Sequence, residues 1–474
     1  MMSWTNIALY LVGGALLIAV IVLGAAILLH LDAVWRVRIT AMTVPMLAIG
    51  TTVSTLFSGR NLSGLVLVIP PLDTLGGNVL RLLTALVVGL AVAQVVGVMY
   101  ERRTQPPGPG GALFLAFFAY FFTNSVLNGM FGTLPSFDNA LLYPLALAAG
   151  LYVTRGIDTA VLARSAKAGV LLMLGMSLAL ALVLPDLVVQ RHYLGWIPAL
   201  EGRLWGVGGH ANSIGPLALT YLMLAHVWPW RSRWARWFGL AIALSVLVLA
   251  QSKTTWLAGL VVVLVMAAYR VHGGGDRRFP TMLLSALVLL AGVCLAALFA
   301  DRFADLAVAA GGSVFADLTT LTGRVGIWDV ALEQWEDNPL FGYGLTIWNE
   351  QFRQRIAIPY AYSAHNQFLQ SLSGAGLVGL LGLIGYFTML VLCARSKARA
   401  QHGVAVAMVT FLFMRCMTEV PLDITGIFSG EFICHLILLQ LLLSRDAGEA
   451  AAMGPQTAFH PHRHTAMPQV SRGW

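Results

Sequence analysis

The sequence predicts an all-α, polytopic membrane protein with about 12–13 transmembrane helices and a large external loop carrying short amphipathic helices. Three observations lead there. Of 474 residues, 58% are hydrophobic and only 11% charged, where a soluble globular domain carries roughly 25% charged residues. Apolar stretches of about 15 to 23 residues recur from end to end, the length lipid demands of a helix whose backbone must satisfy itself. Basic residues cluster in alternate connections, as the positive-inside rule requires of cytoplasmic loops. A water-soluble fold is excluded. The formal charge of +8 is segregated by loop and implies no nucleic-acid partner.

In chain order, charge-poor runs fall near 7–29, 39–57, 79–99, 112–131, 139–153, 169–185, 213–228, 237–251, 255–269, 280–300, 372–393, 404–418 and 424–443. The first has no preceding basic residue and is longer than a signal-peptide core, so it is expected to be an uncleaved anchor. Arg102/Arg103, Arg155/Arg164/Lys167, Arg231/Arg233/Arg236, Arg270/Arg277/Arg278 and Arg395/Lys397/Arg399 mark the cytoplasmic side. The stretch 58–78, with Pro70, Pro71 and Asp73, reads as an external loop or a re-entrant segment. Cys294, Cys393, Cys416 and Cys434 lie in or beside apolar runs without metal or redox spacing and read as packing residues.

The largest external connection is acidic and runs from Asp301 to about Ala364. Within it Ile327, Trp328, Ala331, Leu332 and Trp335 recur at helical spacing up to Asn338-Pro339. This predicts an amphipathic helix near the membrane surface. The Gly342-Tyr343-Gly344 turn then sends the chain back toward the bilayer. A second external connection, near 186–212, carries Arg191, Arg203 and His210, and a third is the turn Gln251-Ser252-Lys253.

His365 is the leading catalytic candidate. It stands at the outer mouth of a span in HNQFLQSLSGAGLVG, where an imidazole can take a proton from a hydroxyl. Gly374, Gly376 and Gly379 allow a neighbouring backbone to approach that helix closely. Arg203 and Arg324, external and beside glycines, suit a diphosphate through paired hydrogen bonds, and Lys253 adds a cation on the same face. For each cation alone, anchoring at lipid headgroups is an equal reading; their convergence on one face favours the functional one. Arg415, Glu419 and Glu431, in or beside the last two spans, read as a structural ion pair of Arg415 with one of the two glutamates. The tail residues His460, His462, Arg463 and His464 read as part of a disordered segment.

Walker A, HExxH, GxSxG and paired Cys/His spacings do not occur in the loops, so ATP-driven transport, zinc proteolysis and serine-hydrolase chemistry lack support. No external Asp-x-Asp pair offers a divalent-metal site.

Taken together, residues 200 to 390 resemble the bacterial O-antigen ligase and O-antigen or exopolysaccharide polymerase superfamily. The most specific part is His365-Asn366 followed by Gly376 and Gly379; Arg203 before Asn212, the Ser252-Lys253-Thr254 turn and Gly323-Arg324 with Trp328 are also similar. Lys253 stands where relatives usually carry Arg. The resemblance implies inverting glycosyl transfer from an undecaprenyl-diphosphate-linked glycan on the outer face of the inner membrane, without metal or other cofactor. His365, Arg203 and Arg324 would be catalytic, and Lys253, Asn212, Asn366, Arg191 and His210 would bind substrate. The acceptor would be a lipid-linked repeat unit or, in a ligase, lipid A-core; a chain-length regulator and a flippase are conceivable partners. A rival of another class is a polysaccharide or lipid transporter, although no internal repeat supports it. The chain divides into an N-terminal transmembrane bundle (1–200), a ligase/polymerase-like region (201–445) and a disordered cytoplasmic tail (446–474).

Overall fold

The computed structural model describes residues 33–64, 74–100, 109–138, 141–193, 195, 197, 202–272, 322–423 and 426–446. The predicted runs 7–29 and 280–300 and the tail histidines lie outside them. The described chain is helical throughout, apart from a two-stranded ladder between β1 (Val189–Arg191) and β2 (Gly202–Leu204).

Hydropathy places the helices well. Runs 39–57, 79–99 and 169–185 become α1 (Ala33–Leu56), α2 (Thr74–Tyr100) and α5 (Thr159–Val183). Between them stand α3 (Pro109–Phe121) and α4 (Leu142–Val153). Then follow α6 (Ala211–Val227), α7 (Arg233–Leu249) and α8 (Lys253–His272). The long connection before α11 supplies α9 (Thr322–Asp337) and the short α10 (Glu350–Arg355); α11 (Gln367–Lys397), α12 (Val404–Cys416) and α13 (Gly430–Leu443) follow. Among the described residues, five helices are long and apolar enough to cross a membrane. With the shorter apolar helices beside them, they make this an all-α polytopic membrane protein.

Small residues let the helices close on one another. A methyl group on Gly169 of α5 would lie 2.9 Å from Pro45 N of α1, so the two backbones touch there. Beside that contact, Ser165 Oγ donates to Ala41 O at 2.6 Å. Cys393 and Cys416 are buried, in keeping with a packing role.

The helices share two ends. At one, Lys397 at the end of α11 donates to Ser444 O (2.9 Å) and pairs with Asp446 (3.3 Å), while Thr159 at the start of α5 bonds Asp446 at 2.7 Å. At the other end, α5 leads into β1, and the N-termini of α6 and α11 open beside the last residues of α12. The segment 57–64 belongs to that second end, since Leu62 N–H donates to Asp186 O (2.7 Å) and Arg191 N–H to Leu62 O (3.1 Å). Among the described residues, the basic clusters around Arg155 and Lys167, Arg231 and Lys397 therefore lie at the opposite end of the bundle from the candidate catalytic residues.

α3 runs on as a π-helical segment, Phe122–Leu127, and a final turn, Asn128–Phe131. This distortion turns Asn124 and Asn128 toward α11. Asn124 Nδ2 donates to Gly379 O (2.9 Å) and Asn128 Nδ2 to Gly374 O (3.1 Å). They serve a helix that is itself broken, because Gly376 adopts φ 64°. The stretch 339–344 runs into the break: Leu377 N–H donates to Pro339 O (2.8 Å) and Tyr343 N–H to Ser373 O (2.8 Å). A Cβ at Gly376 would stand 2.3 Å from Leu340 C, so only glycine permits both the turn and the approach. Freed backbone groups inside a membrane protein are tolerated when protein satisfies them in this way.

α9 ends at Asp337, where Asn338-Pro339 predicted its stop. Its buried residues Ile327 and Ala331 pack with Tyr343, Ile347, Trp348, Phe352, Ala361 and Ala364. Two of the five apolar residues predicted on this helix, Ile327 and Ala331, thus build a small core within the loop itself, whereas Leu332 stays exposed.

Candidate functional site

The site forms where the ends of α6, α9, α11 and α12 meet, and Asn212 and Glu419 hold it together. Asn212 is the second residue of α6. Its Oδ1 accepts from Arg203 Nη2 (2.6 Å) and Ser252 Oγ (3.0 Å), and its Nδ2 donates to Glu419 Oε1 (2.7 Å). The same carboxylate pairs with Arg324 Nη2 at 3.5 Å and, through Oε2, with His365 Nδ1 at 3.3 Å. All three residues expected to be catalytic are thereby joined through two shared partners.

Local structure explains each placement. β2 carries Arg203 beside the α7–α8 turn, where its Nε donates to Ala250 O (2.9 Å) and its guanidinium lies 4.8 Å from the Tyr193 ring centre. Burial pulls the Arg203 pKa down and Tyr193 and Glu419 pull it up, with a net lowering from the ordinary value. Arg324 and Trp328 are four residues apart on α9 and so share a face. Trp328 Nε1 donates to Ala364 O (2.9 Å) and Arg324 Nη1 to Thr418 O (2.8 Å), which tie the helix to both sides of the site.

His365 sits in the left-handed region at φ 48°, a conformation that costs a non-glycine residue energy and is held by its surroundings. The preceding N–H, of Ala364, donates to Gln370 Oε1 (2.9 Å), and Gln370 Nε2 donates to Asp423 Oδ2 (2.9 Å). The following residue, Asn366, caps α11 by accepting from Phe368 N–H (3.0 Å) and Leu369 N–H (3.1 Å). Its Nδ2 reaches Met417 O at 3.4 Å. Asn366 thus fixes the direction of α11 relative to the end of α12.

The electrostatics assign a tautomer. Burial works to raise the Glu419 pKa, but the His365 hydrogen bond and the Arg324 guanidinium outweigh it and hold the carboxyl at about 2. An ionised carboxylate only accepts hydrogen bonds. A neutral His365 therefore carries its proton on Nδ1, facing Glu419, and leaves the Nε2 lone pair for a hydroxyl proton.

His210 is brought to the cluster in a different capacity from a cation. Its ring packs on Trp205 at 4.4 Å between centres, and its Nδ1 accepts from Asn212 N–H (3.0 Å), capping α6. Burial, aided by Arg203, pushes its pKa down to about 4, so it is neutral near pH 7. Arg191 is engaged elsewhere, by Asp186 at 2.8 Å, with both side chains half-exposed. Lys253 opens α8, directly after the Ser252 that bonds Asn212.

The ion pair expected of Arg415 forms with Glu431, at 3.6 Å, and Arg415 Nη2 also donates to Asn212 O (2.7 Å). Ser213 Oγ donates a short hydrogen bond to the same Glu431. Glu419, read in the sequence as an alternative partner for Arg415, instead faces His365 and Arg324. Its sequence signal was its place just past the outer end of α12, on the same side as His365. Arg60 was not singled out by the sequence. Its guanidinium donates to the carbonyls of Leu187, Gly206 and Gly209, fixing the loop that leads into α6.

The arrangement sets His365 beside two partly buried guanidiniums near the N-termini of α6, α8 and α11, whose dipoles also favour anions. No protein of curated function matches the chain. Residues 238–384 match the family model described as O-antigen ligase (Wzy_C). The match includes Lys253, Arg324, His365 and the broken α11, and it supports an O-antigen ligase or polymerase type of function. Over residues 238–384 the chain is thus similar to the O-antigen ligase family, the resemblance that its sequence motifs implied.

Proposed function

We propose that this protein joins lipid-diphosphate-linked oligosaccharide repeat units into an exopolysaccharide or O-antigen at the outer face of the inner membrane. The observation that carries the reading is the convergence of His365, Arg203 and Arg324 on Asn212 and Glu419. In this mechanism His365 Nε2 takes the proton of an acceptor hydroxyl as its oxygen attacks the anomeric carbon of the donor sugar. The bond from that carbon to the undecaprenyl diphosphate breaks, the stereochemistry inverts, and the diphosphate leaves with the bonding electrons. Arg203 and Arg324 bind the diphosphate and stabilise its growing charge, which is electrostatic catalysis by cations already in place. Their hydrogen bonds to Ala250 O, Asn212 and Thr418 O hold the guanidiniums still, so little reorganisation accompanies the reaction. Asn366 and His210 orient the two helices that carry the site, and Lys253 supplies further positive charge at its margin, whereas Arg191 is held by Asp186.

The acceptor follows from the external loop, which is net acidic and presents exposed aromatic residues. Such a surface suits neutral sugar faces better than the anionic inner core of lipid A. A ligase that caps lipid A-core is the second reading, favoured by the description of the matched family. Deletion of the gene separates them. Loss of a polymerase leaves single repeat units on the lipid carrier or on lipid A and removes long chains. Accumulation of full-length polymer on undecaprenyl diphosphate beside bare lipid A-core would overturn the polymerase reading in favour of the ligase. A transporter would leave purified protein unable to make any glycosidic bond from lipid-linked donor.

A further inference from the structure

The aromatic residues of α9 are occupied with the protein itself: Trp328 bonds Ala364 O, and Trp335 Nε1 donates to Pro339 O at 3.2 Å. Among the described residues of this loop, the exposed aromatic rings lie instead in the segment between α10 and α11. There burial alternates. Ala361 and Ala364 are fully buried in the loop core, whereas Tyr360 is 62% exposed and Tyr362 66%. The Tyr362 N–H donates to Tyr360 O (3.0 Å), which makes the pair a compact turn. Arg353 braces it: its guanidinium stacks 4.1 Å from the Tyr362 ring centre while Nη1 donates to Trp348 O (2.9 Å).

We infer that Tyr360 and Tyr362, braced by Arg353, form a carbohydrate subsite that receives the acceptor glycan and delivers its hydroxyl to His365. The inference rests on the glycosyl-transfer reading and extends it to acceptor recognition. Tyrosine offers a large, rigid amphipathic surface at little entropic cost, and its ring faces pack against the C–H faces of sugars while its hydroxyl bonds theirs. Two such rings carried on a buried backbone, with a guanidinium at the edge to meet hydroxyls, have the make-up of a sugar platform. Location favours a glycan over lipid headgroups. The two rings stand on a segment anchored by Ala361 and Ala364 in the loop's own core, three and five residues before the proposed base rather than along a span. Tyr362 precedes His365 by three residues, within roughly 10 Å along extended chain, a distance that a short oligosaccharide spans.

The test uses the full-length protein in nanodiscs, with lipid-linked repeat units from the producing strain as donor and oligosaccharide released by mild acid from the strain's own polysaccharide as acceptor, so that the two KM values are separable. Tyr360→Ala/Tyr362→Ala should raise the acceptor KM about tenfold or more, equivalent to about 1.4 kcal/mol, with the donor KM unchanged. Tyr360→Phe/Tyr362→Phe should restore the acceptor KM to within a few-fold, because the ring faces remain. An unchanged acceptor KM, or a donor KM that rises in parallel, overturns the subsite. So does a drop in thermal stability in the nanodisc without any change in acceptor KM, the result expected of headgroup anchors. Binding is also read without turnover. His365→Ala protein should still give saturation-transfer NMR signals from its aromatic rings to oligosaccharides released by mild acid from the strain's own polysaccharide. The two tyrosine-to-alanine changes should abolish those signals. Full activity of His365→Ala would sink the glycosyl-transfer reading, and persistence of these signals without the tyrosines would sink the subsite.

Discussion

The Glu419 carboxylate lies 3.3 Å from His365 Nδ1, across 54 residues of chain, and shares its other oxygen with Asn212 and Arg324. One acidic side chain thus orients the proposed base and links it to the proposed diphosphate site.

Replacing Glu419 by Gln removes the acceptor-only partner that holds the His365 proton on Nδ1. Loss of an orienting partner of this kind typically costs about 10- to 100-fold. The kcat of purified Glu419→Gln protein should fall by that amount at normal membrane abundance. Wild-type turnover would remove Glu419 from the mechanism.

The same substitution gives a pH signature in stability. The folded pKa of about 2 lies below the ordinary 4.5, so the ionised form is favoured by folding. Its contribution is fully present above 4.5 and is lost as pH falls through about 2. Wild type should therefore melt above Glu419→Gln at pH 7 and pH 5, and the gap should shrink between pH 4 and pH 2. A gap that widens on acidification would contradict the assignment.

Arg203→Lys and Arg324→Lys keep the charge and lose the planar fork. Each should reduce donor kcat/KM by about tenfold to a hundredfold, the equivalent of one or two charge-assisted hydrogen bonds. Purified lipid-linked donor is the substrate for the assay, which excess chelator should leave unaffected. If both Lys variants turn over as wild type does, the diphosphate role fails.

Gly376→Ala tests the broken helix. The φ of 64° costs an alanine about 1–3 kcal/mol, and its Cβ would meet Leu340 backbone at 2.3 Å. The variant should accumulate poorly and be cut by protease in the 339–344 stretch. Gly385→Ala in the same helix, where a Cβ meets nothing within 4 Å, is the matched control and should accumulate normally. Equal stability of the two variants would refute the account of the break.

Orientation can be read by impermeant thiol reagents in intact cells. Asn61→Cys, at the end of the bundle with the site, should label, and Ser396→Cys, beside Lys397, should not. The reverse pattern would turn the protein over and place the site on the cytoplasmic side.

The sequence by itself determined the positions of the described spans, because lipid imposes a run length and apolarity on each helix that composition records locally. It also determined that Asn338-Pro339 ends α9 and that the glycines after His365 admit a close neighbour, since proline and glycine act through their own backbones. His365, Arg203 and Arg324 were legible as residue types at outer span ends and through the motifs they share with a family. Only the tertiary structure decided which groups meet. Asn212 and Glu419 are 207 residues apart, and whether Arg415 pairs with Glu419 or Glu431 depends on how α12 and α13 dock against α6. It also decided that His210 is a neutral cap, that α9 packs on the loop's own core, and that Tyr360 and Tyr362 stand exposed beside that core. The physical reason is the same in each case: hydropathy and backbone preference are properties of a few neighbouring residues, whereas a hydrogen bond's partner, a side chain's burial and a buried group's charge state are set by chain segments that meet only on folding.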